Sequence, residues 1–403
     1  MKLENLQLEG KKVLMRVDFN VPLNKAFELT DDTRLKGAVP TINYILEQGA
    51  SLILMSHLGR PQKKKKADGT IDRSRFSLRH VVNPLSGLLN KPVVFVEDTI
   101  GTRVQKAVAA LQPGTVLILE NTRFYPEESA GDQSFAKELA SLADIYVNDA
   151  FGTAHRAHAS TATVAQFFGK EAKAFGFLIQ KELDAAAQLT QQPKRPFTAI
   201  VGGAKVSDKI LLLEKLVDVV DHLIIGGGMA YTLIKAQGGS VGTSLLEADK
   251  IDTALSLMQK ASEKGVKIYL PFDSVVADKF DNDASKQTLN SSAIPDGWMG
   301  LDIGPKAIEN FRAVLLNSKS IIWNGPMGVF EMASFAKGTM QVADMVVQAT
   351  QNGAYSLIGG GDSVAAINKA GKADAVSFVS TGGGAMLKLL EGGKLPGIEA
   401  IKQ

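Results

Sequence analysis

Short apolar runs, rich in Val, Ile and Leu and lacking polar alternation, recur from end to end of the chain, and each stops in a polar or glycine-rich cluster. Runs of that kind suit strands covered on both faces, as in parallel sheets flanked by helices. Helical patterns lie between them. Over residues 132–142, Phe135, Leu139 and Leu142 share one face behind a capping Asp132. Over residues 207–220, Ile210, Leu213, Leu216, Val217 and Val220 do the same. Strand and helix alternation along the whole chain predicts an α/β fold with right-handed crossovers.

At 403 residues the chain exceeds what one core usually supports, so two domains of roughly 150 to 250 residues are expected. Gly169-Lys170-Glu171 follows the last arginine-bearing cluster. A long helical pattern over residues 177–191 then ends at Pro193 and Pro196. The expected division is residues 1–172, then residues 173–390 opening with a joining helix at about 173–191, then a Gly- and Pro-bearing tail at 391–403. No apolar run is long enough for a membrane span and no signal core follows Met1, so a soluble, cytoplasmic protein is expected. With no cysteine, disulfides and thiol chemistry are excluded. A net charge of +3 is too mild to argue for nucleic acid, and the basic run Lys63 to Lys66 reads as a solvated surface loop.

The clusters that end the runs differ between the two halves. In the first they read Arg16-Val17-Asp18-Phe19-Asn20, Ser56-His57-Leu58-Gly59-Arg60, Glu120-Asn121-Thr122-Arg123 and Asn148-Asp149-Ala150-Phe151-Gly152. Open parallel sheets bind ligands beyond the carboxyl ends of their strands. If these ends converge, Arg34, His57, Arg60, Arg123 and Arg156 make a pocket for a small, highly charged anion. Asp18, among cations, stays ionised and either accepts a substrate hydroxyl or orients an arginine; a plain Asp/Asn turn fits the local sequence as well. His155 and His158 lack a third partner, so a metal site there is not expected.

The second half ends its runs mostly with glycine: Gly202-Gly203-Ala204-Lys205, Gly226-Gly227-Gly228, Asn324-Gly325-Pro326, Gly359-Gly360-Gly361-Asp362-Ser363 and Thr381-Gly382-Gly383-Gly384. Glycine after a strand lets backbone N–H groups approach phosphates, although each triple glycine alone also suits a tight turn. No GK pair is followed by Ser or Thr. The third glycine of the dinucleotide fingerprint is missing as well, so neither a P-loop nor a Rossmann dehydrogenase fits. Lys205 and Lys209, four apart near a helix start, suit an anionic ligand, and Asp362 suits Mg²⁺. An acid pocket and a nucleotide pocket together indicate phosphoryl transfer, with hinge closure to exclude water.

The strings 16–22, 56–61, 148–158, 202–209, 323–331 and 359–363 resemble phosphoglycerate kinase, in order, from about Arg16 to the Leu395-Pro396-Gly397 tail. The resemblance implies two Rossmann-like three-layer domains with mostly parallel sheets, a hinge helix, and a tail packed back on the first domain. It implies reversible transfer of the acyl phosphate of 1,3-bisphosphoglycerate to Mg-ADP, giving 3-phosphoglycerate and Mg-ATP, by a cytoplasmic monomer. By resemblance, Asp18, Asn20, His57, Leu58, Gly59, Arg60, Arg123 and Arg156 bind the glycerate. Arg34, also at that site, and Lys205 stabilise the transferring group. Lys209, Gly300, Asn324, Glu331, Gly360, Gly361, Asp362 and Ser363 hold the nucleotide, with Asp362 on Mg²⁺. The alternatives are a kinase for another acid on the same scaffold and a nucleic-acid or surface binder using Lys63 to Lys66; no membrane partner is expected.

Overall fold

The computed structural model describes residues 2–403. The chain divides into two compact units, one running to Leu183 and taking in Lys394–Gln403, the other Asp184–Gly393. The first holds β1 (Lys12–Arg16), β2 (Ser51–Met55), β3 (Val93–Phe95), β4 (Val116–Ile118), β5 (Ile145–Asn148) and β6 (Lys173–Phe175) in an all-parallel sheet of order β3-β4-β2-β1-β5-β6. Val13, Met15, Leu52 and Leu54 bury one face of it, packed with Ile42, Ile45 and Leu46 of helix Thr33–Glu47. Arg16 is in register with Met55 on one side and Asn148 on the other, and Leu54 with Ile118. That register brings the four polar clusters to one edge of the sheet. The strand order reverses between β1 and β5, which is where such sheets leave a crevice.

The second unit repeats the plan with a glycine-rich edge. Its strands are β7 (Phe197–Val201), β8 (His222–Ile225), β9 (Ser240–Val241), β10 (Lys267–Tyr269), β11 (Asp273–Ala277), β12 (Lys286–Asn290), β13 (Ala293–Ile294), β14 (Met299–Ile303), β15 (Ser320–Asn324), β16 (Tyr355–Ile358) and β17 (Phe378–Val379). Six form a parallel sheet of order β10-β8-β7-β15-β16-β17. Asn324 is in register with Val201, Val201 with Ile225, and Trp323 with Ile358, so Gly202, Gly226, Gly325 and Gly359 follow at a common edge.

Three expectations are corrected here. Strand and helix do not alternate throughout: β12, β11 and β14 form a separate antiparallel sheet, and β12 (Lys-Gln-Thr-Leu-Asn) is its largely exposed edge. Residues 173–175 are not helical. They form strand β6, paired with β5, and the helix begins at Phe177 and runs to Thr190. Its start is bound to the first unit, because Thr41 Oγ1 accepts from Phe177 N and Asp149 Oδ1 accepts from Leu178 N and Ile179 N. The unit boundary therefore falls inside the helix rather than before it. Finally, the helix expected from 207 starts at Ile210 and ends at Leu216, since residues 202–208 turn back along the sheet edge before it.

In the tail, helix Pro396–Lys402 packs on the first unit: Gly397 N donates to Ala154 O at 2.9 Å and Asn148 Nδ2 to Gly397 O at 3.2 Å. A side chain at position 397 would meet Thr161 Cγ2 at 2.8 Å, so the approach requires glycine. Among the described residues no helix is long and apolar enough to cross a membrane.

Candidate active site

At the edge of the first sheet, Asp18, Asn20, Arg34, His57, Gly59, Arg60, Arg123 and Arg156 line one cavity of about 490 Å³, together with Lys64, Phe76, Gly152 and Thr153. Arg34, in the first turn of helix Thr33–Glu47, is ion-paired through Nη1 to Asp18 Oδ2. Asn20 Oδ1 accepts from Gly59 N at 2.8 Å, and Arg123 Nη1 donates to Gly59 O at 2.8 Å, so the Gly59 peptides hold both side chains. Gly59 has φ +63, and a Cβ there would meet Phe76 Cε1 at 2.6 Å. Leu58 is the exception among the predicted residues: it is buried in the core, and its carbonyl accepts from Asn121 Nδ2 at 2.8 Å instead of facing this cavity.

Electrostatics in this cavity favour an anion. Arg123 is nearly buried, and its pKa is pushed down to about 10 by loss of water and then by Arg16 and Arg156. It stays protonated at neutral pH. His57 is buried and held well below its ordinary value, first by desolvation and then by Arg16, Arg123 and Arg34. It is therefore neutral, and the 3.9 Å approach of its Nδ1 to Asp18 Oδ1 is not an ion pair. Arg16 Nη2 lies 3.2 Å from Nδ1; because a guanidinium only donates, Nδ1 accepts and Nε2 carries the proton. His158 is lowered to about 4, again by burial first and then by Arg123, Arg16 and Arg156. Among the described residues no group of three ligating side chains forms a metal site, His155 and His158 included.

At the edge of the second sheet lies a cavity of about 460 Å³ with a more apolar wall. Gly203, Ala204, Gly227, Gly228, Tyr231, Leu245, Pro326 and Met327 contribute to it, as do the predicted Gly300, Glu331 and Asp362. Gly227, at φ +69, lies where a Cβ would meet Gly203 O at 2.6 Å, so two glycine loops cross in van der Waals contact. Gly300 sits against Tyr231: a Cβ there would fall 1.8 Å from the phenol oxygen. The other predicted residues form a linked set beside the cavity instead of its lining. Lys209 Nζ donates to Asn324 Oδ1, Asn324 Nδ2 donates to Gly359 O at 2.7 Å, and Ser363 Oγ accepts from Gly325 N. Gly360, at φ +96, caps helix Gly361–Lys369, and Asp362 lies in its first turn.

The two lysines do not share a helix end. Lys209 is the N-cap of helix Ile210–Leu216, and its pKa is lowered by burial, with Asp362 and Asp208 opposing. Lys205 is exposed on the preceding loop, in the field of Glu247 and Asp249. Glu247 fixes that loop by accepting from Ser207 N at 3.0 Å and Ser207 Oγ at 2.6 Å.

The sequence pattern of phosphoglycerate kinase matches residues 3–393. The chain belongs to the phosphoglycerate kinase family. A Porphyromonas gingivalis phosphoglycerate kinase is 50% identical over 425 aligned positions, covering all of both chains. The cytosolic phosphoglycerate kinase 3 of Arabidopsis thaliana is 54% identical over 401 positions, covering all of this chain and 98% of that one. The solved phosphoglycerate kinase of Coxiella burnetii superposes with a TM-score of 0.88 at 41% identity, covering 100% and 99% of the two chains.

Behind the arginines of this phosphoglycerate kinase fold lies a buried network that inspection of the sequence did not single out. Arg16 is fully buried and donates from Nε to Ser160 Oγ at 2.8 Å. Ser160 in turn donates to Glu128 from N at 2.8 Å and from Oγ at 2.6 Å. The buried Glu128 carboxylate thus answers a buried guanidinium one hydroxyl away. Arg16 was legible as the last residue of an apolar run. Glu128 was not, because Pro-Glu-Glu-Ser reads as an ordinary exposed helix start. Asp302, which lines the second cavity, was also missed; burial raises it to about 7 against N–H donors from Gly338 and Ile303.

Proposed function

We propose that the chain catalyses reversible transfer of the acyl phosphate of 1,3-bisphosphoglycerate to ADP, giving 3-phosphoglycerate and ATP. The observation that carries this reading is the division of charge between two strand-end cavities in a phosphoglycerate kinase family chain: four arginines and a lysine around one, glycines and an apolar wall around the other.

In this reading Asp18, Asn20, His57, Arg60, Arg123 and Arg156 bind the glycerate, with Gly59 contributing backbone. Arg123, held away from water beside Arg16 and Arg156 and only in the field of Glu128 and Asp18, gains a direct negative partner when a carboxylate or phosphate arrives. His57 offers its Nε2 proton to a ligand oxygen, and Asp18 accepts a substrate hydroxyl while paired with Arg34. Arg34 and Lys205 stabilise charge on the phosphoryl group in flight. Such transfer needs positioning and neutralisation more than a protein nucleophile.

Lys209, Gly300, Asn324, Glu331, Gly360, Gly361, Asp362 and Ser363 hold the nucleotide. The oxygen donors at that cavity, Asp362 with nucleotide phosphates and water, fit Mg²⁺, which ordinarily takes one or two carboxylates. Mg²⁺ when bound supplies neutralisation of the phosphates. Ligands carried on separate units have to meet for direct transfer, so closure about helix Phe177–Thr190 belongs to the proposal, and it keeps water from the phosphoryl group. A monomer is taken as the working unit, and the Arabidopsis relative's name supports the cytosol.

An ADP-detecting assay with 3-phosphoglycerate and Mg-ATP tests the reading. Saturable turnover requiring both substrates is expected. Equal turnover with glycerate or an unrelated phosphorylated acid would favour a kinase for another acid on this scaffold.

A further inference from the structure

The basic run Lys63 to Lys66 is not a free loop. A turn of 3₁₀ helix, Pro61–Lys63, carries the chain out of the Arg60 position, with Lys63 N donating to Arg60 O at 3.1 Å and Lys64 N to Pro61 O at 3.2 Å. Gln62 Nε2 donates to Phe124 O at 3.2 Å, which fastens the turn to the segment bearing Arg123. Beyond it, Lys65 pairs antiparallel with Ile71, and Lys66 N donates to Thr70 O at 2.8 Å. The tract is a tethered hairpin. It leads into helix Arg73–Phe76, capped by Asp72, whose Phe76 returns to the wall of the anion cavity.

The four lysines differ in what they face. Lys64 alone of the four lines the cavity, beside Arg34, Arg60, Arg123 and Arg156. None of the ion pairs among the described residues involves it. Lys66 lies instead in the field of Asp68 and Asp72, outside the cavity lining. A lysine in the lining beside four arginines and one already paired carboxylate has no counter-charge of its own. An anion in the cavity supplies one.

We propose that Lys64 is a further substrate-binding cation, which contacts the anionic groups of 3-phosphoglycerate from the hairpin side of the cavity and sets affinity more than turnover. This rests on the proposed function, and the test separates the two. Wild-type turnover with 3-phosphoglycerate and Mg-ATP reports on the activity. The inference is read from Lys64→Ala, Lys64→Arg and Lys66→Ala by steady-state kinetics across a KCl series and by calorimetric binding of 3-phosphoglycerate without nucleotide.

A single exposed charge beside a multiply charged ligand at low salt is worth about a threefold change, and salt screens it. Lys64→Ala should raise both KM and Kd for 3-phosphoglycerate about threefold at low ionic strength, with kcat within twofold of wild type. The difference should vanish in high KCl, Lys64→Arg should restore wild-type affinity, and Lys66→Ala should change neither value. Unchanged affinity in Lys64→Ala would overturn the proposal, as would an equal loss in Lys66→Ala, which would mean only the net charge of the hairpin matters.

Discussion

Asp149 follows β5 directly, and its carboxyl group is wholly buried. Oδ1 accepts from Leu178 N at 2.9 Å and Ile179 N at 3.2 Å, the first turn of helix Phe177–Thr190, while Oδ2 has no hydrogen-bond partner. Loss of water raises the group from 3.8 to about 7, against the opposing pull of Thr41 and those two N–H donors. In the unfolded chain the same carboxyl titrates near pH 4. Between about pH 4 and pH 7 the folded protein therefore holds a proton that the unfolded chain releases, so stability falls as pH rises through this window. The full effect is about 4 kcal/mol, of which about 3 kcal/mol falls between pH 5 and pH 8. Asp149→Asn keeps an oxygen for the two N–H groups and cannot ionise. Urea unfolding followed by circular dichroism at pH 5 and pH 8 measures the difference. Both tryptophans, Trp298 and Trp323, lie in the second unit, so their fluorescence does not observe this unit directly. Wild type should lose about 3 kcal/mol more than Asp149→Asn between these pH values. Parallel stability curves for the two proteins would refute the reasoning.

Two further substitutions probe the cavities. Arg34→Ala removes the cation paired with Asp18 and, if it meets transition-state charge, lowers kcat about 100-fold with a smaller loss of 3-phosphoglycerate affinity. A raised KM at unchanged kcat would contradict that role. Gly300→Ala puts a methyl group against the buried Tyr231 ring, whose hydroxyl donates to Ser274 Oγ at 2.9 Å. Overpacking should cost about 1–3 kcal/mol and raise the nucleotide KM about tenfold while 3-phosphoglycerate binding is retained; an unchanged Tm and nucleotide KM would show that the ring moves freely.

Much of the first cavity was legible because its residues stand where unalternating apolar runs stop, and parallel register then carries those stops to one edge. Asn20, His57 and Arg123 follow that logic, as does Arg16 buried behind them. Leu58 shows its limit, since adjacency to His57 and Gly59 says nothing about which way a side chain turns. Asp149 was visible as a letter in a polar cluster but not as the carboxyl group that receives the start of a helix, because that contact joins β5 to residues about 30 positions later. The helix start at Ile210 was misread because Val206 and the Ser207 region keep helical spacing while the chain is still turning along the sheet edge. The antiparallel sheet escaped notice for a different reason: β12 is polar and exposed, and a lone edge strand carries no apolar signature. Lys64 was hidden within a run of identical charges, where only the tethered hairpin distinguishes one lysine from its neighbours.

The central claim is that the arginine-bearing strand ends hold the acid and the glycine-bearing ends hold the nucleotide. Backbone hydrogen exchange measured with 3-phosphoglycerate alone, and separately with ADP and Mg²⁺ alone, addresses it directly. Slowed exchange with the acid is predicted around Asp18 to Asn20, His57 to Arg60 and Gly152 to Arg156, with none around Gly203 and Ala204, Gly300 or Gly360 to Ser363. The nucleotide is predicted to give the reverse. Protection by 3-phosphoglycerate centred on the glycine loops, with the arginine segments unaffected, would contradict the account.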